Sequence, residues 1–588
     1  MKYFLLLSFL TSTIISRSQS IDGVPDSLPA NMFPDAAHAP FYHGVGSFDP
    51  TAYQVIIWTK ITPFDVAFPA AIHYQVATDS LFQSIIVEAD TSTTANENFT
   101  FSIDINGLNP NTKYFYRFRD LQGNYSVVGQ THTLPNGPNQ NLKIAVASCS
   151  SVYSGFFNAY RHMASDTGIL ALFHLGDYIY DFVDPNELIR IPFPFPEDPV
   201  TSDDYRQRHA YYLLDPDLRY ARQMKPFFVN WDNHDIDNRP LQPTIDQGIQ
   251  PFSEYCPWRR LVPNDNEIIY RKVSFGDLLE VSITDLRLFR FTDTLSNGET
   301  NLLGTQQFEW LTSNLKASNT KWQIIGSQKM IGGWYTSGFP SEVLALIPNE
   351  GPVFDDGGWD GRQETRNMLF DTTSGNAINN CIFITGDSHC SFGMDLSKTP
   401  QDSLIYNPET GEGSIGVEFA PTSISRGNFD ESGISGGFLD IYLAFNKIGN
   451  PQQYYNEFTK HGYGILDIKS DSVIATYVYL SKDSINPIPI DIKTLTLMDG
   501  INHWKRYPSG VGISKIDANQ NWKLYPNPNS TGLLNFSTPQ SFQVYNSIGN
   551  LIYTSQAVSS FSLYGWASGF YTLKNQTGQV RKLVIFAK

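Results

Sequence analysis

The chain has 588 residues, a formal net charge of −17 and an isoelectric point near 5.1. Hydrophobic residues make up 41% and aromatic residues 14%, which is enough apolar material for packed cores and excludes wholesale disorder. The acidic balance argues against non-specific binding to DNA or anionic membranes, so we expect no nucleic-acid-binding module and several globular units.

Residues 1–20 are predicted to be an export signal. Lys2 supplies the positive charge, an apolar stretch follows from Phe4 to Ile15, and Ser18-Gln19-Ser20 matches a cleavage site. The stretch is shorter than a membrane span and no later segment qualifies, so we expect no transmembrane span. Export would permit disulfides, but four cysteines are too few for a disulfide scaffold and the sequence does not pair them.

Residues 41–135 show short alternating runs, such as those at 54–59 and 113–118, separated by turn residues at 107–111. Alternation of period two at regular spacing predicts an N-terminal β-sandwich. The segment has no cluster of metal-ligating residues, which favours a structural or docking role.

Residues 137–512 are predicted to form an α/β domain. Nearly continuous apolar runs at 142–148 and 169–175 flank a helix-like segment at 155–164. Runs of this kind are typical of strands that are buried on both faces and joined by helices. Further runs of the same type lie at 227–229, 279–283, 322–326 and 381–385.

The tail, residues 522–588, again shows short alternating segments. It is predicted to be a small C-terminal β-domain, and it contains no residue pattern that suggests chemistry.

Four of the buried runs in the α/β segment end in groups that can ligate a metal or transfer a proton. In an open α/β sheet, ligands bind where strands present their carboxyl ends. One such ending is usually a turn or a helix N-cap, but four in one domain favour a functional site. The endings are Cys149, 176–180, 231–235 and 386–389.

The residue types in these endings suggest a binuclear metal centre. The two oxygens of Asp177 can bridge two cations, and Tyr180 can add a phenolate of the kind that trivalent iron favours. Cys149 as a thiolate and His389 as an imidazole would complete a mixed site for a transition metal.

Oxygen ligands dominate the other half of the predicted centre. Asn233 and Asp387 suit a hard cation such as calcium. Two cations about 3.5–4 Å apart can clamp a phosphoryl group and activate water as a hydroxide nucleophile. His234 beside Asp235 is a candidate general acid, although a histidine in a loop is also commonly structural.

Three further residues are weaker candidates for contact with substrate or metal. Arg161 and Arg287 can bind phosphate, yet a structural ion pair explains each equally well. Asp360 stands in an Asp-Gly pair, which is first a turn signal. A serine hydrolase finds little support because residues 148–150 lack the Gly-x-Ser-x-Gly elbow, and no glycine-rich phosphate loop is evident.

Several ordered motifs between about 41 and 481 resemble the PhoD-like alkaline phosphatase/phosphodiesterase family, within the calcineurin-like metallophosphoesterase group. The resemblance implies a β-sandwich before a four-layer αββα domain. It also implies Fe³⁺ on Cys149, Asp177, Tyr180 and His389, with Ca²⁺ nearby. The motifs are Gly44 to Pro50, Trp58-Thr59-Lys60, Ala147-Ser148-Cys149, His174 to Asp181, Trp231 to Asp235, Asp285-Leu286-Arg287, Trp359-Asp360-Gly361, Gly386 to His389 and His461 to Gly464.

One position departs from the family pattern. Asn233 stands where the family usually has Asp, and the loss of one negative charge should weaken a calcium site.

The tail has a resemblance of its own. Residues 522–588 resemble the C-terminal sorting domain of type IX secretion. This resemblance implies the type IX secretion machinery as a partner and a secreted or cell-surface location.

The expected function is therefore hydrolysis of phosphate mono- or diesters by attack of metal-bound hydroxide. The alternative is a cell-surface binding or adhesion protein that retains the fold without activity. Another phosphoester reaction, such as phospholipid cleavage, also stays open. The sequence does not give the oligomeric state.

Overall fold

The structure is a computed structural model. It describes residues 21–506, 524–525 and 532–585, except for 26, 30, 183, 196–198, 237–244, 291, 346, 348, 350, 377, 547–549, 568 and 577–579. The predicted export signal at 1–20 lies outside the described residues. The chain divides into two compact units, Met1–Gly433 with Asn446–Lys505, and Ile434–Phe445 with Arg506–Lys588.

The secondary structure of the described residues is mixed α/β, as predicted. The helices are α1 (Asn158–Ser165), α2 (Ser202–Tyr212), α3 (Pro216–Met224), α4 (Asn233–Ile236), α5 (Ile245–Tyr255), α6 (Gly304–Ala317), α7 (Ser341–Leu344), α8 (Gln363–Gly375) and α9 (Gly436–Gly449). The first ten strands are β1 (Val45–Phe48), β2 (Gln54–Lys60), β3 (Ala70–Ala77), β4 (Ile85–Thr93), β5 (Thr100–Asn106), β6 (Lys113–Asp120), β7 (Gly129–His132), β8 (Asn141–Ala147), β9 (Ile169–His174) and β10 (Pro226–Val229).

The remaining strands follow in chain order. They are β11 (Arg271–Phe275), β12 (Leu279–Ile283), β13 (Trp322–Ser327), β14 (Cys381–Thr385), β15 (Ser391–Leu396), β16 (Gly416–Ala420), β17 (Gln453–Glu457), β18 (His461–Lys469), β19 (Ser472–Leu480), β20 (Asp491–Met498), β21 (Leu524–Tyr525), β22 (Leu533–Tyr545), β23 (Leu551–Ser562), β24 (Gly569–Asn575) and β25 (Val580–Ile585). The six buried runs predicted in the α/β segment coincide with β8, β9, β10, β12, β13 and β14, which confirms those predictions.

Two large sheets organise the first unit. A nine-stranded sheet has the order β20-β19-β18-β8-β9-β10-β1-β2-β5, and a seven-stranded sheet has the order β11-β12-β13-β14-β16-β15-β17. The pairs β8–β9, β9–β10 and β10–β1 are parallel in the first sheet. The pairs β12–β13, β13–β14 and β14–β16 are parallel in the second.

Alternation along β8 explains why its sequence is apolar throughout. Ile144 and Val146 belong to a core that also contains Val281 and Ile324 from the seven-stranded sheet. The intervening side chain of Ala145 belongs to a second core, with residues of α1, α3 and α5. Because successive side chains point to opposite faces of a strand, both faces of β8 are buried.

The N-terminal strands form two sheets packed around one apolar core. One sheet has the order β4-β3-β6-β7, while β1, β2 and β5 belong to the nine-stranded sheet. The link is the parallel pairing of β1 with β10, in which Ser47 lies opposite Pro226 and Phe48 opposite Phe227. The N-terminal strands therefore share a continuous sheet with the α/β core, a continuity that the predicted division between 135 and 137 did not include.

The second unit contains a five-stranded sheet built from β21 to β25. Its core includes Leu534, Phe542, Val544, Leu573 and Leu583. This sheet agrees with the small β-domain predicted for the tail.

Candidate metal centre

The candidate site is built from the loops that follow β8, β9, β10 and β14. Four of its residues have positive φ angles: Cys149 (58°), Asp177 (53°), Asp387 (63°) and His389 (53°). This left-handed region is disfavoured for residues with a side chain, and such residues cluster at functional sites. The backbone therefore turns sharply after β8, β9 and β14, which helps to bring their donor groups together.

Gly176 lets two of these loops approach closely. Its φ is +122°, and a Cβ atom at this position would lie 2.6 Å from Cβ of Asp232. Only glycine fits this contact, since real Cβ atoms do not approach other atoms so closely. The glycine that precedes Asp177 therefore permits the contact with the loop after β10.

Cys149, Asp177, Tyr180 and His389 form the first half of the site, which we call the thiol side. One ligand atom from each of Cys149, Asp177 and His389 lies within 4.8 Å of the other two. The Tyr180 hydroxyl lies 3.4 Å from Asp177 Oδ2 and 3.3 Å from His389 Nε2. The structure thus brings together the four residues predicted to ligate iron.

Asp177, Asp232, Asn233 and Asp387 form the second half, which we call the carboxylate side. Oxygens of the three aspartates all lie within 4.8 Å of one another. Asn233 lies beside them, where its Oδ1 accepts a hydrogen bond of 2.6 Å from Arg287 Nη2. Asp177 belongs to both halves, as its predicted bridging role requires.

Asp232 was missed in the sequence analysis, although it stands next to Asn233 in a strand ending that was singled out. A carboxylate directly before the candidate Asn233 was the available signal. Its Oδ1 accepts a hydrogen bond from Arg287 Nε. Arg287 therefore lies at the site, and its guanidinium is engaged with Asp232 and Asn233.

Lys329 is a second positively charged residue at the site, after Arg287. The sequence analysis did not single it out. Its Nζ lies 3.0 Å from Asp387 Oδ2 and 3.0 Å from Asp355 Oδ2. It follows β13 by two residues, so the rule that placed the other residues at the carboxyl edge could have found it. Burial acts to raise the pKa of Asp387, but the charges of Lys329 and Arg287 outweigh burial and hold this pKa below its usual range.

The electrostatics of the thiol side fit a bound cation. Burial raises the pKa of Asp177 to about 7, with His234 opposing the shift and Asp232 and Asp387 adding to it. Burial, together with the charge of Asp177, also raises the pKa of the Cys149 thiol well above its usual range. Crowded acidic groups in a buried site are unfavourable as anions unless a positive ion compensates them.

Tyr180 and His389 complete this donor set. Burial raises the pKa of Tyr180 well above its usual range, and Cys149 and Asp177 act in the same direction. Burial, with the charge of Arg426, lowers the pKa of His389 to about 3, so its imidazole is neutral, as a metal ligand must be. Sulfur, nitrogen and oxygen donors at one point suit a transition metal.

His234 is held in a defined position by two neighbours. Its Nδ1 lies 2.5 Å from Asp181 Oδ1, and its ring stacks on Tyr180 with centroids 4.2 Å apart. Burial opposes its charge, but Asp177 and Asp181 outweigh burial and raise the pKa of His234 above its usual value. No hydrogen bond engages Nε2 among the residues that the structure describes, so Nε2 is the nitrogen available to a substrate.

Arg426 also borders the thiol side and was not singled out in the sequence. Its guanidinium lies 5.5 Å from the centre of the Tyr180 ring. It also forms ion pairs with Asp184, at 3.3 Å, and with Glu187. Arg426 reaches the site from a loop that is distant in sequence, and no motif marks such an arginine as a site residue.

Asp235 and Arg161 do not occupy the positions that were predicted for them. Asp235 accepts hydrogen bonds from the backbone N–H groups of Ile179 (3.0 Å) and Asp232 (2.8 Å), so both oxygens hold loops in place. Arg161 Nε lies 2.7 Å from Asp217 Oδ1, in the structural ion pair that was the alternative to phosphate contact. Neither geometry is that of a group offered to a substrate.

Asp360 is also engaged in structural contacts. It lies 2.7 Å from Arg366 Nη1 and accepts a hydrogen bond of 2.7 Å from the backbone N–H of Trp334. All four cysteines are free and buried, and Cys256 and Cys381 each belong to an apolar core. Among the described helices, none combines the length and apolar character that a bilayer crossing requires.

The fold and the clustered donors together define a class, the metal-dependent hydrolytic enzymes that carry their site at the carboxyl edge of packed sheets. Known proteins agree with this class. Residues 144–477 match the family model described as PhoD-like phosphatase, and residues 27–135 match its N-terminal domain. Since the first match covers more than half of the chain, the protein belongs to the PhoD-like phosphatase family.

Individual relatives support the assignment. The chain is 29% identical over 438 residues to alkaline phosphatase D of Bacillus subtilis (strain 168), covering 68% of this chain and 71% of the relative. A solved structure described as the structure of PhoD aligns with a TM-score of 0.66 and 25% identity. That alignment covers 79% of this chain and 92% of the solved chain. The protein is a phosphoesterase.

Proposed function

We propose that this phosphoesterase is an exported alkaline phosphatase D-like enzyme that hydrolyses phosphate mono- or diesters at a two-cation centre. The observation that carries the proposal is the pair of donor groups sharing Asp177, one with Cys149 and His389 and one with Asp232 and Asp387. A single shared carboxylate is the arrangement that a bridged cation pair needs.

The donor types support iron on the thiol side and calcium on the carboxylate side. Thiol, phenol and imidazole groups surround the first position, whereas carboxylate and amide oxygens surround the second. Cations held there would clamp the phosphoryl group and lower the pKa of a nucleophilic water.

The chain's own residues would bind the substrate and transfer the proton. Arg287 and Lys329 place two positive charges beside the carboxylates, which favours the approach of an anionic ester. His234 would donate a proton from Nε2 to the leaving oxygen, while Asp181 at Nδ1 fixes the ring and stabilises its charged form. The raised pKa of His234 favours the protonated form that a general acid needs.

Packing supports the four-layer αββα arrangement as part of the proposal. The two large sheets share one apolar core. Helices α1, α3 and α5 contribute to a core on the other face of the nine-stranded sheet, and α6 and α8 contribute to a core with β13 and β14.

The deciding experiment compares three substrates in three proteins. An aryl phosphate monoester, an aryl phosphate diester and a phospholipid would be assayed with the wild type, Asp177→Asn and the exposed control Asp371→Asn. We expect mono- or diester hydrolysis in the wild type and the control, and its loss in Asp177→Asn. Activity on phospholipid alone would favour the alternative phosphoester reaction, and folded protein inactive on all three would favour the adhesion alternative.

Metal identity has its own measurement. Elemental analysis should find iron and calcium in the purified protein, and a tyrosinate–iron pair should give visible charge-transfer absorption. A colourless protein that is active without iron would overturn the iron assignment.

Export is proposed from the sequence patterns at the two ends of the chain. A signal at 1–20 and a sorting domain at 522–588 would route the protein through type IX secretion machinery to the cell surface or the medium. Removal of residues 522–588 should leave the protein inside the cell envelope. Unchanged release of the shortened chain would contradict this route.

A further inference from the structure

A cavity of about 600 Å³ lies at the opposite edge of the nine-stranded sheet from the metal centre. Its lining includes the first residues of β8, β9 and β10, together with residues of β6, β7 and β18. The N-terminal strands and the α/β core therefore both contribute to its wall. Cys149 follows Lys143 by six residues, so the cavity is roughly 20 Å from the metal centre along extended backbone.

The cavity is basic, although the whole chain carries a net charge of −17. Four lysines line it, and Asp467 is the acidic residue among its lining residues. Within the described residues, one of the four lysines forms an ion pair, Lys143 with Asp166 at 3.4 Å. The lining lysines are Lys113, Lys143, Lys225 and Lys469.

Lys225 is the buried member of this group. Its Nζ donates hydrogen bonds to the carbonyl oxygens of Asp166 (2.6 Å) and Ile169 (2.9 Å). Burial lowers the pKa of Lys225 to about 8, Asp166 opposes the shift, and Lys113 and Lys143 add to it. Lys143 and Lys225 lie close together, since the Nζ atoms of both contact Asp166, at its carboxylate (3.4 Å) and its carbonyl oxygen (2.6 Å) respectively.

Two other groups complete the wall. Thr131 also lines the cavity, and its buried hydroxyl has no hydrogen-bond partner among the described residues. Leu142, Leu170 and Met224 supply apolar surface. A cavity of this volume fits a small organic molecule, and lysines bind phosphate groups as point charges.

We propose that this lysine-lined cavity is a second, non-catalytic binding site for a small organic phosphate. The phosphate group would lie among the lysines, and the organic portion would contact the apolar wall. Because the wall combines the N-terminal strands with the α/β core, a bound ligand would stabilise the contact between them. This site is independent of the proposed reaction, since none of its lining residues belongs to the metal centre.

The test uses phenylphosphonate, whose C–P bond a phosphoesterase does not hydrolyse, and inorganic phosphate. Binding would be measured by calorimetry in full-length Asp177→Asn protein, so that the shared carboxylate of the metal centre is absent throughout. In that background, Lys113→Gln/Lys143→Gln is compared with the exposed pair Lys316→Gln/Lys447→Gln.

We expect phenylphosphonate to bind equally well to the Asp177→Asn protein and to the same protein with the control substitutions Lys316→Gln/Lys447→Gln. The Lys113→Gln/Lys143→Gln variant should bind phenylphosphonate at least about tenfold more weakly, because two charge-assisted contacts are lost. Phenylphosphonate should also bind more tightly than inorganic phosphate, which lacks the organic portion. Sodium chloride should weaken binding in the control pair more than in the cavity pair.

Three results would overturn the proposal. They are no phenylphosphonate binding by Asp177→Asn, equal binding by the two lysine pairs, and equal affinity for phenylphosphonate and phosphate. If the cavity pair does not fold, as judged by circular dichroism, the exposed single variants Lys113→Gln and Lys469→Gln replace it under the same criteria. Loss of esterase activity in the wild type would contradict the proposed reaction but leave this binding test unaffected.

Discussion

The thiol side and the carboxylate side share Asp177 but solve the problem of buried charge in different ways. On the carboxylate side, Arg287 and Lys329 are already paired with Asp232 and Asp387. On the thiol side, the Cys149 thiol and Tyr180 phenol have strongly raised pKa values and the imidazole is neutral. Protein cations thus offset negative charge on the carboxylate side, whereas burial on the thiol side favours the uncharged forms of the donors.

This difference suggests unequal dependence on metal. A cation on the thiol side must displace protons from sulfur and oxygen, which makes its binding steeply dependent on pH. A cation on the carboxylate side competes with two protein cations and meets an amide where a carboxylate would bind more strongly. We therefore expect a firmly held metal on the first side and an exchangeable one on the second.

Asp177→Asn should remove the feature that the two sides share, and it has the largest expected effect. Loss of the common carboxylate should lower kcat/KM by about a thousandfold or more and reduce the content of both metals. Steady-state kinetics and elemental analysis would test this, with Asp371→Asn as control. Retention of full activity would remove the basis for a bridged centre.

His234→Gln should lower kcat by about a hundredfold or more, because it removes the proposed proton donor from the thiol side. The loss should be larger for an alkyl phosphate than for a nitrophenyl phosphate, whose leaving group needs little protonation. Asp181→Asn should show the same leaving-group dependence in weaker form. The control is His73→Gln, at a half-buried histidine of β3, and equal losses on both substrates in His234→Gln would argue against a general acid.

Tyr180→Phe should affect the thiol side alone. We expect loss of visible absorption, a fall in iron content and at least about tenfold lower activity, with calcium retained. Tyr178→Phe is a matched control, since Tyr178 is equally buried but its hydroxyl lies 3.3 Å from Arg222 Nη1. An unchanged spectrum in Tyr180→Phe would mean that any colour has another source.

Asn233→Asp should strengthen calcium binding on the carboxylate side. One added negative charge should tighten calcium binding several-fold, by roughly tenfold at most, because Arg287 already lies against this residue. Calcium titration of the variant and of the exposed control Asn297→Asp would measure it. Weaker calcium binding would show that Asn233 does not face the cation.

Glu418→Gln examines a buried carboxyl outside both sides and should change stability rather than activity. Burial raises the pKa of Glu418 to about 7, although Thr385, Ile331 and Gly332 donate hydrogen bonds to it. The folded state binds this proton more tightly than the unfolded state, so protonation of Glu418 stabilises the fold. That contribution is complete below about pH 4.5 and is lost as pH rises to about 7.

The size of this loss is on the order of 3 kcal/mol. Urea unfolding at pH 5 and pH 7.5 should therefore show a steeper loss of stability in the wild type than in Glu418→Gln. The exposed control Glu409→Gln should follow the wild type. Parallel pH dependence in all three proteins would contradict the assignment.

The sequence predicted those parts of the site that depend on local pattern. Apolar runs followed by Asp177 or by Asp387 and His389 identified strands and their carboxyl edge, because burial on both faces makes a strand apolar throughout. Arg426 was missed because its role depends on loops that meet only in the folded chain, whereas Lys329 follows β13 and could have been found by the same rule. For Arg161 the sequence left phosphate contact and a structural ion pair both open, because nothing local distinguishes a free arginine from one that pairs with Asp217.

The same limit applies to the fold. Alternation revealed β1, β2 and β5 as strands but not the sheet that they would join. Pairing of β1 with β10 depends on residues about 180 positions apart, and a strand pattern contains no information about so distant a partner.

That pairing also constrains how the protein can be made. The central sheet takes strands from residue 45 to residue 498, so it is not complete until almost the whole first unit has been synthesised. Long-range pairing of this kind folds slowly and leaves unpaired strand edges exposed in the meantime. Shortened chains made to isolate the metal centre should accordingly aggregate, and recombinant production should begin before residue 41 and continue past residue 505.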